Sequence, residues 1–437
     1  MTGWVWLYRG LGTAGLAAAA PVLALKARRD PRFRTGWGER LALRGDAPRR
    51  AVWVHGASVG ELRAAAPLVR ALGERGLRLL VTATSPAGAQ VARELAAGRG
   101  AGRLLPLDPL PWLGAWVARL RPRALVLVET ELWPGLLHAA RGRGVPVLLV
   151  NARLSDRAFP RYRLARPFLR PVLGWFGRIQ AQSAEHARRF AALGAPADRL
   201  EVGGNLKFDL AEPDPDHPGT RALLGAREAG WAVVVAGSTH PGEVGPLARA
   251  VAALGEGGLR PGFVVAPRHL ERIAAAEEDL RAAGFRPVRW AAFEASGRPA
   301  ADAFAAGEAL VVDRMGWLSH LYGGASAAFV GGTLVPVGGH NPLEALVWGV
   351  PVIVGPHTGN IRDLLAELRP EGLCAEVDGP AGLGGALARL LADADGAARV
   401  REAARALFAR NRGATARALE AVLEAMGERT NAFKSIA

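Results

Sequence analysis

Cysteine is almost absent from this chain, and tyrosine and methionine are scarce. Of 437 residues, one is cysteine (Cys374), three are tyrosine and three are methionine. A single cysteine excludes an intramolecular disulfide and a zinc site built on cysteines. This usage fits the cytoplasm and is compatible with other compartments.

Lysine is equally rare, which changes the meaning of the net charge. The formal charge is +15, yet all but three of the 55 basic residues are arginine, in a chain crowded with alanine and glycine. Such a bias is typical of a GC-rich genome. The sequence has no basic run interleaved with aromatic residues, no zinc-finger spacing and no RNA-binding sheet motif. We therefore expect no nucleic-acid partner.

A long apolar segment lies near the N-terminus. From Trp4 to Leu25 the only charged residue is Arg9, and Lys26 with several arginines follows. A cleaved signal peptide carries its positive charge before the apolar region. We therefore predict that residues 1–35 form a membrane anchor, which holds the protein on the cytoplasmic face of the inner membrane. Gly12, Gly15 and Pro21 make a full span marginal, so a spanning, an interfacial and a buried helix stay open, in that order.

Beyond residue 50 the chain repeats a pattern of strand, polar turn and helix. Continuous Val and Leu runs are typical of parallel strands that are covered on both faces. The pattern predicts an α/β protein with two doubly wound, Rossmann-like domains. The predicted strands are Ala51–Val54, Leu77–Thr82, Ala124–Val128, Val145–Val150, Arg178–Gln182, Trp231–Ala236, Gly262–Ala266, Ala309–Val312, Ala327–Val330 and Pro351–Val354.

The segment Leu210–Gly219 is dense in Pro, Asp and Gly and reads as a linker. It divides the chain into predicted domains at residues 36–212 and 213–437, the second of which ends in Ala/Leu/Arg-rich helices. Two such halves place a cleft between the carboxyl ends of their sheets, where ligands bind in these folds. Neither half carries the Gly-x-Gly-x-x-Gly fingerprint after its first strand, which disfavours a dinucleotide dehydrogenase.

Residues 331–344 form a glycine-rich turn between a strand and a helix. Asn341 is predicted to be the N-cap, with Pro342 at the first helical position and Glu344 at the third. Backbone N–H groups of such a turn, together with the helix dipole, suit an anion such as a nucleotide phosphate. The same spacing is also close to a capping box, which needs no ligand.

Acidic residues follow two strands of the first half. Glu61 ends the motif His55-Gly-Ala-Ser-Val-Gly-Glu61, and Glu129 and Glu131 follow the strand at Ala124–Val128. A carboxylate there can act as a general base toward a hydroxyl. Ser58 and Glu61 also have capping-box spacing, and carboxylates at a helix start complement its dipole, so a structural role stays open.

Basic residues follow the next strands. Arg153 lies in Asn151-Ala-Arg-Leu-Ser155, five further arginines come soon after it, and Lys207 stands just before the linker. A solvated basic face is one interpretation. Binding of a phosphorylated lipid is the other, because guanidinium groups bind phosphate in a bidentate manner.

The second half offers three further loops at predicted strand ends. Ser238 and Thr239 precede a predicted helix start, Arg268 and His269 follow another strand, and Met315 with Gly316 could cover a base. The glycine-rich turn adds Gly339 and His340. A lone histidine is usually structural, but four histidines of the chain fall at predicted strand ends, at positions 55, 240, 269 and 340.

Taken in order, these motifs resemble those of the 3-deoxy-D-manno-octulosonic acid (Kdo) transferases of lipopolysaccharide synthesis. Each motif alone is weak, whereas the ordered set covers most of the chain and is highly specific. The matching motifs are His55-Gly-Ala-Ser-Val-Gly-Glu61, Glu129-Thr-Glu-Leu-Trp-Pro134, Asn151-Ala-Arg-Leu-Ser155, Gly204-Asn-Leu-Lys-Phe-Asp209, Ser238-Thr-His240, Pro267-Arg-His269, Gly338-Gly-His-Asn-Pro-Leu-Glu344 and Gly355-Pro-His-Thr358.

The resemblance implies a GT-B glycosyltransferase with an N-terminal membrane anchor, an acceptor-binding domain and a donor-binding domain. It implies inverting transfer of Kdo from CMP-Kdo to a phosphorylated lipid A precursor. We expect no metal in the transfer, because no Asp-x-Asp motif ends a predicted strand of the donor half and Arg268 can neutralise the leaving CMP. Glu61 corresponds to the family's proposed base, with Glu129 and Glu131 as further catalytic candidates. The CMP contacts would come from the second half, and the acceptor contacts from the first. The positions that match the family's CMP contacts are Arg268, Met315, Gly316, Asn341 and Glu344. Their place in the same loops adds Ser238, Thr239, His269, Gly339 and His340 as candidates for CMP, and Ser58, Arg153 and Lys207 are our candidates for the acceptor.

The chain departs from the family pattern at three places. Gly135 stands where the family usually has Asn, Pro336-Val337 replaces Glu-Arg, and Arg314 and Trp317 alter the Asp-Thr-Met-Gly-Glu motif. Two other functions stay open at this point. One is a different GT-B enzyme, such as a heptosyltransferase or an epimerase, and the other is a membrane-tethered binder of nucleotide sugars without catalysis.

Overall fold

The computed structural model describes residues 3–29, 36–43, 47–209 and 214–428. The chain divides into two compact units. The first comprises Met1–Asp209 with Asn411–Ala437, and the second comprises Leu210–Arg410. The predicted linker therefore starts at the unit boundary, although its residues 210–213 lie outside the described residues and Pro218 already begins a helix.

Each unit contains a seven-stranded, wholly parallel sheet within its described residues. The first sheet has the order β3-β2-β1-β4-β5-β6-β7 and the second has the order β10-β11-β9-β8-β12-β13-β14. The strands are Val52–His55 (β1), Leu79–Ala83 (β2), Gly100–Leu104 (β3), Ala124–Val128 (β4), Val147–Ala152 (β5), Arg178–Ala181 (β6), Leu200–Val202 (β7), Ala232–Thr239 (β8), Pro261–Pro267 (β9), Arg286–Arg289 (β10), Glu308–Val311 (β11), Ala327–Val330 (β12), Val352–Val354 (β13) and Cys374–Glu376 (β14).

Helices alternate with these strands, as crossover connections between parallel strands require. The helices are Gly3–Arg29 (α1), Trp37–Arg40 (α2), Val59–Glu74 (α3), Pro86–Ala96 (α4), Leu113–Leu120 (α5), Pro134–Arg141 (α6), Phe159–Leu164 (α7), Arg166–Leu173 (α8), Ala184–Leu193 (α9), Pro218–Glu228 (α10), Val244–Glu256 (α11), Ile273–Ala282 (α12), Trp290–Ser296 (α13), Ala300–Ala305 (α14), Leu318–Leu321 (α15), Leu343–Leu346 (α16), Arg362–Leu368 (α17), Leu383–Ala392 (α18), Ala394–Asn411 (α19) and Ala414–Ala425 (α20).

The predicted doubly wound sheets are confirmed, and every predicted strand is present with small shifts at its ends. Their Val and Leu residues are buried on both faces; β1 and β4, for example, have no exposed residue. Sequence analysis missed β3, β7, β10 and β14. These strands are short or partly exposed, so they lack the continuous apolar run of a central strand.

The C-terminal helices do not all belong to the second unit, contrary to the predicted 213–437 domain. Helix α20 packs on α3 of the first unit, with Leu419, Val422 and Leu423 in the same buried cluster as Leu62 and Leu68. This apolar face covers one side of the first sheet. The domain boundary was wrong at this end because helical periodicity shows that a face must be buried without showing which sheet covers it.

Helix α1 packs against the first unit through polar contacts. The Tyr8 hydroxyl donates to Asp108 Oδ2 at 3.0 Å, and the Thr13 hydroxyl donates to the Pro109 carbonyl at 2.7 Å. Across the described ranges of the chain, no helix is both long enough and apolar enough to cross a membrane, contrary to the spanning form of the predicted anchor.

Candidate active site

The acidic residues of the first unit meet at the point where its strand order reverses. Strands β1 and β4 are adjacent and parallel, so the loops at their carboxyl ends are neighbours. One loop leads into α3, which carries Glu61, and the other carries Glu129 and Glu131. In open α/β sheets, this switch point is where ligands bind.

Glu61 is held at the start of α3 by a reciprocal cap. The Ser58 Oγ accepts a hydrogen bond from the Glu61 N–H at 3.2 Å, and the Ser58 hydroxyl donates to Glu61 Oε1 at 3.0 Å. The other oxygen, Oε2, accepts from the Ala57 N–H at 2.6 Å. The predicted capping role of Ser58 and Glu61 is therefore confirmed.

The electrostatic surroundings give Glu61 a second property. Burial raises the pKa of its carboxyl to about 7, and the negative charges of Glu131 and Glu129 add to the increase. The hydrogen bonds from Ala57 and Ser58 act in the opposite direction and are too weak to cancel it. A carboxyl whose pKa lies near neutrality is suited to accept a proton and release it again.

Glu129 is paired with basic residues. Lys207 Nζ lies 3.2 Å from Glu129 Oε1, and Arg153 Nη1 lies 3.9 Å from Oε2. Glu129 itself has a left-handed backbone with φ of 63°, which is uncommon outside glycine. The Asn205 side chain holds the backbone next to this pair, because its oxygen accepts the Lys207 backbone N–H at 3.1 Å.

Glu131 is oriented by an indole and a buried imidazole. Trp133 Nε1 donates to Glu131 Oε2 at 2.6 Å, and His55 Nε2 lies 3.4 Å from the same oxygen. The Thr82 hydroxyl accepts from Trp53 Nε1 at 2.8 Å and lies 3.0 Å from His55 Nδ1. His55 Nδ1 also lies 3.1 Å from the Thr82 carbonyl oxygen.

The three carboxylates thus differ in their partners. Glu129 has Lys207 and Arg153, and Glu131 has Trp133 and His55, whereas the hydrogen bonds of Glu61 come from the uncharged groups of Ala57 and Ser58. Sequence analysis named the three glutamates, Ser58, Arg153 and Lys207. It did not assign roles to His55, Thr82 or Asn205.

Gly135, one departure from the family pattern, has a structural reason. Its N–H donates to Asp108 Oδ2 at 2.7 Å, and the next N–H, from Leu136, donates to Oδ1 at 2.6 Å. A Cβ at position 135 would overlap the Asp108 carbonyl oxygen. The chain therefore uses a buried aspartate to cap α6, and this requires glycine at the position.

In the second unit, the loops after β8 and β12 are neighbours for the same reason as in the first, since these strands are adjacent. Glu243, at the end of the first loop, is fully buried. Its Oε1 accepts the N–H groups of Thr333 and Leu334 at 3.0 and 2.9 Å. Its Oε2 accepts those of Gly332 and His240, both at 2.8 Å.

This arrangement corrects the prediction for the glycine-rich turn. The N–H groups of Gly332, Thr333 and Leu334 donate to a side chain of the protein, so they do not point at a ligand phosphate. The N–H groups of Gly338 and Gly339 donate to the Gly332 carbonyl at 3.0 and 2.7 Å.

The predicted helix starts also lie further along the chain. Ser238 and Thr239 belong to β8, and α11 begins at Val244. Helix α16 begins at Leu343 and spans four residues, with the Asn341 side chain accepting the Leu343 N–H at 3.1 Å. The hydrogen bond to Asn341 agrees with its predicted capping role, and α16 begins one residue after the predicted Pro342. In the other loop, residues 240–243 separate Thr239 from α11.

Two histidines join these loops. His240 Nε2 and His340 Nε2 are 2.8 Å apart, with their rings stacked at 5.1 Å between centroids. For these two nitrogens to form a hydrogen bond, one must carry the hydrogen and donate, and the other must accept. Burial lowers the pKa of His240, and the neighbouring His269 and Arg268 lower it further, against the opposing charge of Glu243.

Arg268, Glu344 and Tyr322 complete this group. Burial raises the pKa of Glu344, and the positive charge of Arg268 offsets part of that increase. Burial also raises the pKa of Tyr322, with a contribution from the Glu344 charge. A Cβ at Gly237 would overlap the Tyr322 hydroxyl, so the end of β8 can approach this tyrosine only with glycine there. Sequence analysis did not identify Tyr322.

The remaining predicted donor residues are more peripheral. Met315 is 67% exposed, and Gly316 next to it has φ of 83°. His269 is exposed, with Nδ1 3.9 Å from Glu271 Oε1. The Thr239 hydroxyl is buried, and within the described residues it has no hydrogen-bond partner.

Two further observations concern metal binding and the loop around Trp317, where the chain departs from the family pattern. The described residues contain no group of three or more His, Cys, Asp and Glu side chains that could hold a metal ion. Trp317, a departure from the family pattern, packs beneath the Arg314 guanidinium at 4.5 Å and against the His217 ring at 4.6 Å.

Comparison with known proteins gives a consistent result. The family model for 3-deoxy-D-manno-octulosonic-acid transferase (kdotransferase) matches residues 35–210. A 3-deoxy-D-manno-octulosonic acid transferase of Bordetella pertussis is 37% identical, with 96% of this chain and all of that protein covered. One from Haemophilus influenzae is 32% identical, with 91% and 93% covered.

Among solved structures, the C-terminal CMP-Kdo binding domain of WaaA from Acinetobacter baumannii is 24% identical, with a TM-score of 0.38. It covers 43% of this chain, and 97% of that domain is covered. The two full-length relatives decide the classification, because their similarity extends through both units at more than 30% identity. The chain belongs to the 3-deoxy-D-manno-octulosonic acid transferase family.

Proposed function

We propose that this glycosyltransferase moves Kdo from CMP-Kdo to a phosphorylated lipid A precursor in lipopolysaccharide synthesis, with inversion at the anomeric carbon. The observation that carries the chemical part of the proposal is the environment of Glu61. Its carboxyl combines a pKa of about 7 with a position at the switch point of the first sheet.

Glu61 acts as the general base in this proposal. It removes the proton of the acceptor hydroxyl as that oxygen attacks the anomeric carbon, and CMP leaves with the electrons of the broken bond. Glu131 and Glu129 contribute indirectly, because their charges raise the proton affinity of Glu61. The ion pairs of Glu129 with Lys207 and Arg153 favour this indirect role over that of a base.

Arg153 and Lys207 are the proposed acceptor contacts. Both are charged groups paired with Glu129, on the loop next to the one that leads to Glu61, and a guanidinium suits the phosphate of a lipid A precursor. Ser58 has a defined task already, since it caps α3 and holds the Glu61 carboxylate. We propose that Ser58 acts on the acceptor only through the position of Glu61.

The donor contacts are proposed in the second unit. Arg268 supplies positive charge for the phosphate of CMP, and Glu344 can accept hydrogen bonds from ribose hydroxyls. The effect of the Arg268 charge on the pKa of Glu344 supports the proximity of the two groups. His340 and Asn341 lie in the loop just before α16, which carries Glu344. The exposed Met315 and the neighbouring Gly316 are proposed to contact the base.

A membrane surface is the proposed location of the reaction. Helix α1 exposes Leu7 and Leu11 by 62% and 66%, and the neighbouring α7 and α8 expose Leu164 and Phe168 by 85% and 58%. The Trp4 ring contacts that of Phe168 at 6.2 Å, which links α1 to α8. Exposed arginines on α7 and α8 add attraction to anionic lipids, so the apolar and basic groups together fit an interfacial helix on the cytoplasmic face.

The test combines membranes that contain the protein, CMP-Kdo and a lipid A precursor, and it measures the mass of the product. Addition of Kdo to the precursor is expected. CMP binding without a product would favour the non-catalytic binder, and use of another nucleotide sugar in place of CMP-Kdo would favour a different GT-B enzyme. The number of added Kdo residues follows from the same mass.

A further inference from the structure

The buried carboxylate of Glu243 has an unusual set of partners. It accepts four backbone N–H groups, from His240, Gly332, Thr333 and Leu334, at 2.8 to 3.0 Å. Three of these groups are consecutive and follow β12. Successive N–H groups of this kind form a concave anion site, which in many α/β proteins holds a phosphate. Here the chain supplies the anion itself.

The loop that Glu243 gathers then closes on itself. The Gly332 carbonyl accepts the N–H groups of Gly338 and Gly339, and the Gly331 carbonyl accepts that of His340 at 3.2 Å. Close packing makes this closure tight, since a Cβ on Gly339 would lie 2.9 Å from Ile361 Cδ1. The conformation of the segment from Gly331 to His340 therefore depends on the hydrogen bonds that Glu243 accepts from its backbone.

Both histidines of the stacked pair are fixed through Glu243. His240 is fixed directly, because its N–H donates to Oε2. His340 is fixed through the loop, and its Nε2 then comes within 2.8 Å of His240 Nε2. Asn341 and Glu344 follow His340 in the chain, so the conformation of this loop also determines where the segment of these two residues begins.

We propose that Glu243 is a positioning residue of the donor site, which shapes the loop of Gly332–Leu334 and thereby places His340 for the donor. The inference rests on the proposed donor role of His340. It also assigns the glycine-rich loop a new purpose, because the loop binds an internal carboxylate and presents side chains to the ligand.

The substitution Glu243→Gln tests the proposal with almost no change of size. Each carboxylate oxygen accepts two N–H groups, and the amide nitrogen that replaces one oxygen is a donor, so two N–H groups lose their acceptor. We expect faster hydrogen exchange in residues 331–340 and CMP affinity at least tenfold weaker. We expect the KM for CMP-Kdo to rise more than kcat falls.

A matched control and a double-mutant cycle separate positioning from general stabilisation. Glu256→Gln removes an exposed carboxylate at the other end of the same helix, and we expect unchanged CMP affinity. If Glu243 acts through His340, then Glu243→Gln in a His340→Ala background should weaken CMP binding by less than threefold further. Additive effects, or CMP affinity within twofold of wild type in folded Glu243→Gln, would overturn the proposal.

Two outcomes require separate treatment. If Glu243→Gln does not fold, Glu243→Asp provides the second variant, because it keeps the charge on a shorter side chain and should weaken CMP binding in the same cycle. If the wild-type protein does not bind CMP, the proposed donor is wrong and the donor-positioning role fails with it. Hydrogen exchange of residues 331–340 would then still decide whether Glu243 orders the loop.

Discussion

The pH dependence of transfer provides a quantitative test of the base assignment. With a pKa of about 7, Glu61 is deprotonated in about 9% of molecules at pH 6 and in about 91% at pH 8. A general base works only when deprotonated, so kcat/KM should rise about tenfold between these pH values. A carboxyl with its ordinary value of 4.5 would already be about 97% deprotonated at pH 6, and the rise would be a few per cent.

The variant Glu131→Gln tests the cause of the shift. The charge of Glu131 is the largest contribution after burial, so its removal should move the midpoint of the profile to lower pH. The measurement is the initial rate at limiting acceptor from pH 5 to 9, and the midpoint is independent of any loss in maximal rate. Glu74→Gln, at the exposed end of the same helix α3, serves as the control and should leave the midpoint unchanged.

A flat profile between pH 6 and 8 in the wild-type protein would refute this reasoning. A profile whose midpoint stays the same in Glu131→Gln would also contradict the electrostatic origin of the shift. The first result would move the base assignment away from Glu61, whereas the second would leave burial as the cause of its raised pKa.

Two further predictions concern the metal and the N-terminal segment. Transfer should continue in the presence of a chelator when the donor is supplied ready-made, because Arg268 can offset the charge of the leaving CMP and no Asp-x-Asp motif ends a strand of the donor half; loss of activity that magnesium restores would argue against this. Removal of residues 1–30 should release the protein from membranes or make it aggregate, and should leave CMP binding nearly intact, since the proposed donor residues lie beyond residue 219. Sedimentation with membranes at high salt that does not change after truncation would show that another surface is the main tether.

The sequence predicted the layout of the sheets because the central strands require burial on both faces. The runs at Ala124–Val128 and Ala327–Val330 agree with β4 and β12 to the residue. Edge strands such as Arg286–Arg289 could not be found in this way, because two of its four residues are exposed. An edge strand is defined by the strand that it pairs with, and the composition of the strand itself does not show that partner.

The candidate site was predictable in position and less so in its connections. Loops at strand ends correctly located Glu61, Glu129 and Glu131, which the order of the sheet brings together. Lys207 and Glu129 are far apart in the sequence and meet only in the folded chain, so no local sequence pattern could predict their ion pair. The task of Glu243 was missed for the same reason, since its partners at Gly332–Leu334 approach it only because β8 and β12 are adjacent.

The pH dependence of stability provides a second, independent test of the raised pKa of Glu61. Its raised pKa means that the folded protein favours the protonated form, so this contribution to stability is present below pH 4.5 and is lost as pH rises to about 7. The full shift corresponds to roughly 3 kcal/mol, and partial solvent exposure reduces the expected effect to ~1–2 kcal/mol. Glu61→Gln keeps a neutral side chain at all pH values, and its amide can still accept from the Ala57 N–H.

The most direct test of the account measures turnover, CMP affinity and melting temperature on Glu61→Gln at pH 8, beside the wild type and Glu74→Gln. The account predicts a loss of turnover of roughly 10²–10⁴-fold, with CMP affinity changed by less than about 1 kcal/mol. The melting temperature should be equal to or higher than that of the wild type, since a buried charge has been removed. Substantial retained turnover with a lowered melting temperature would show that Glu61 is only a helix cap, and would move the catalytic assignment to Glu129 or Glu131.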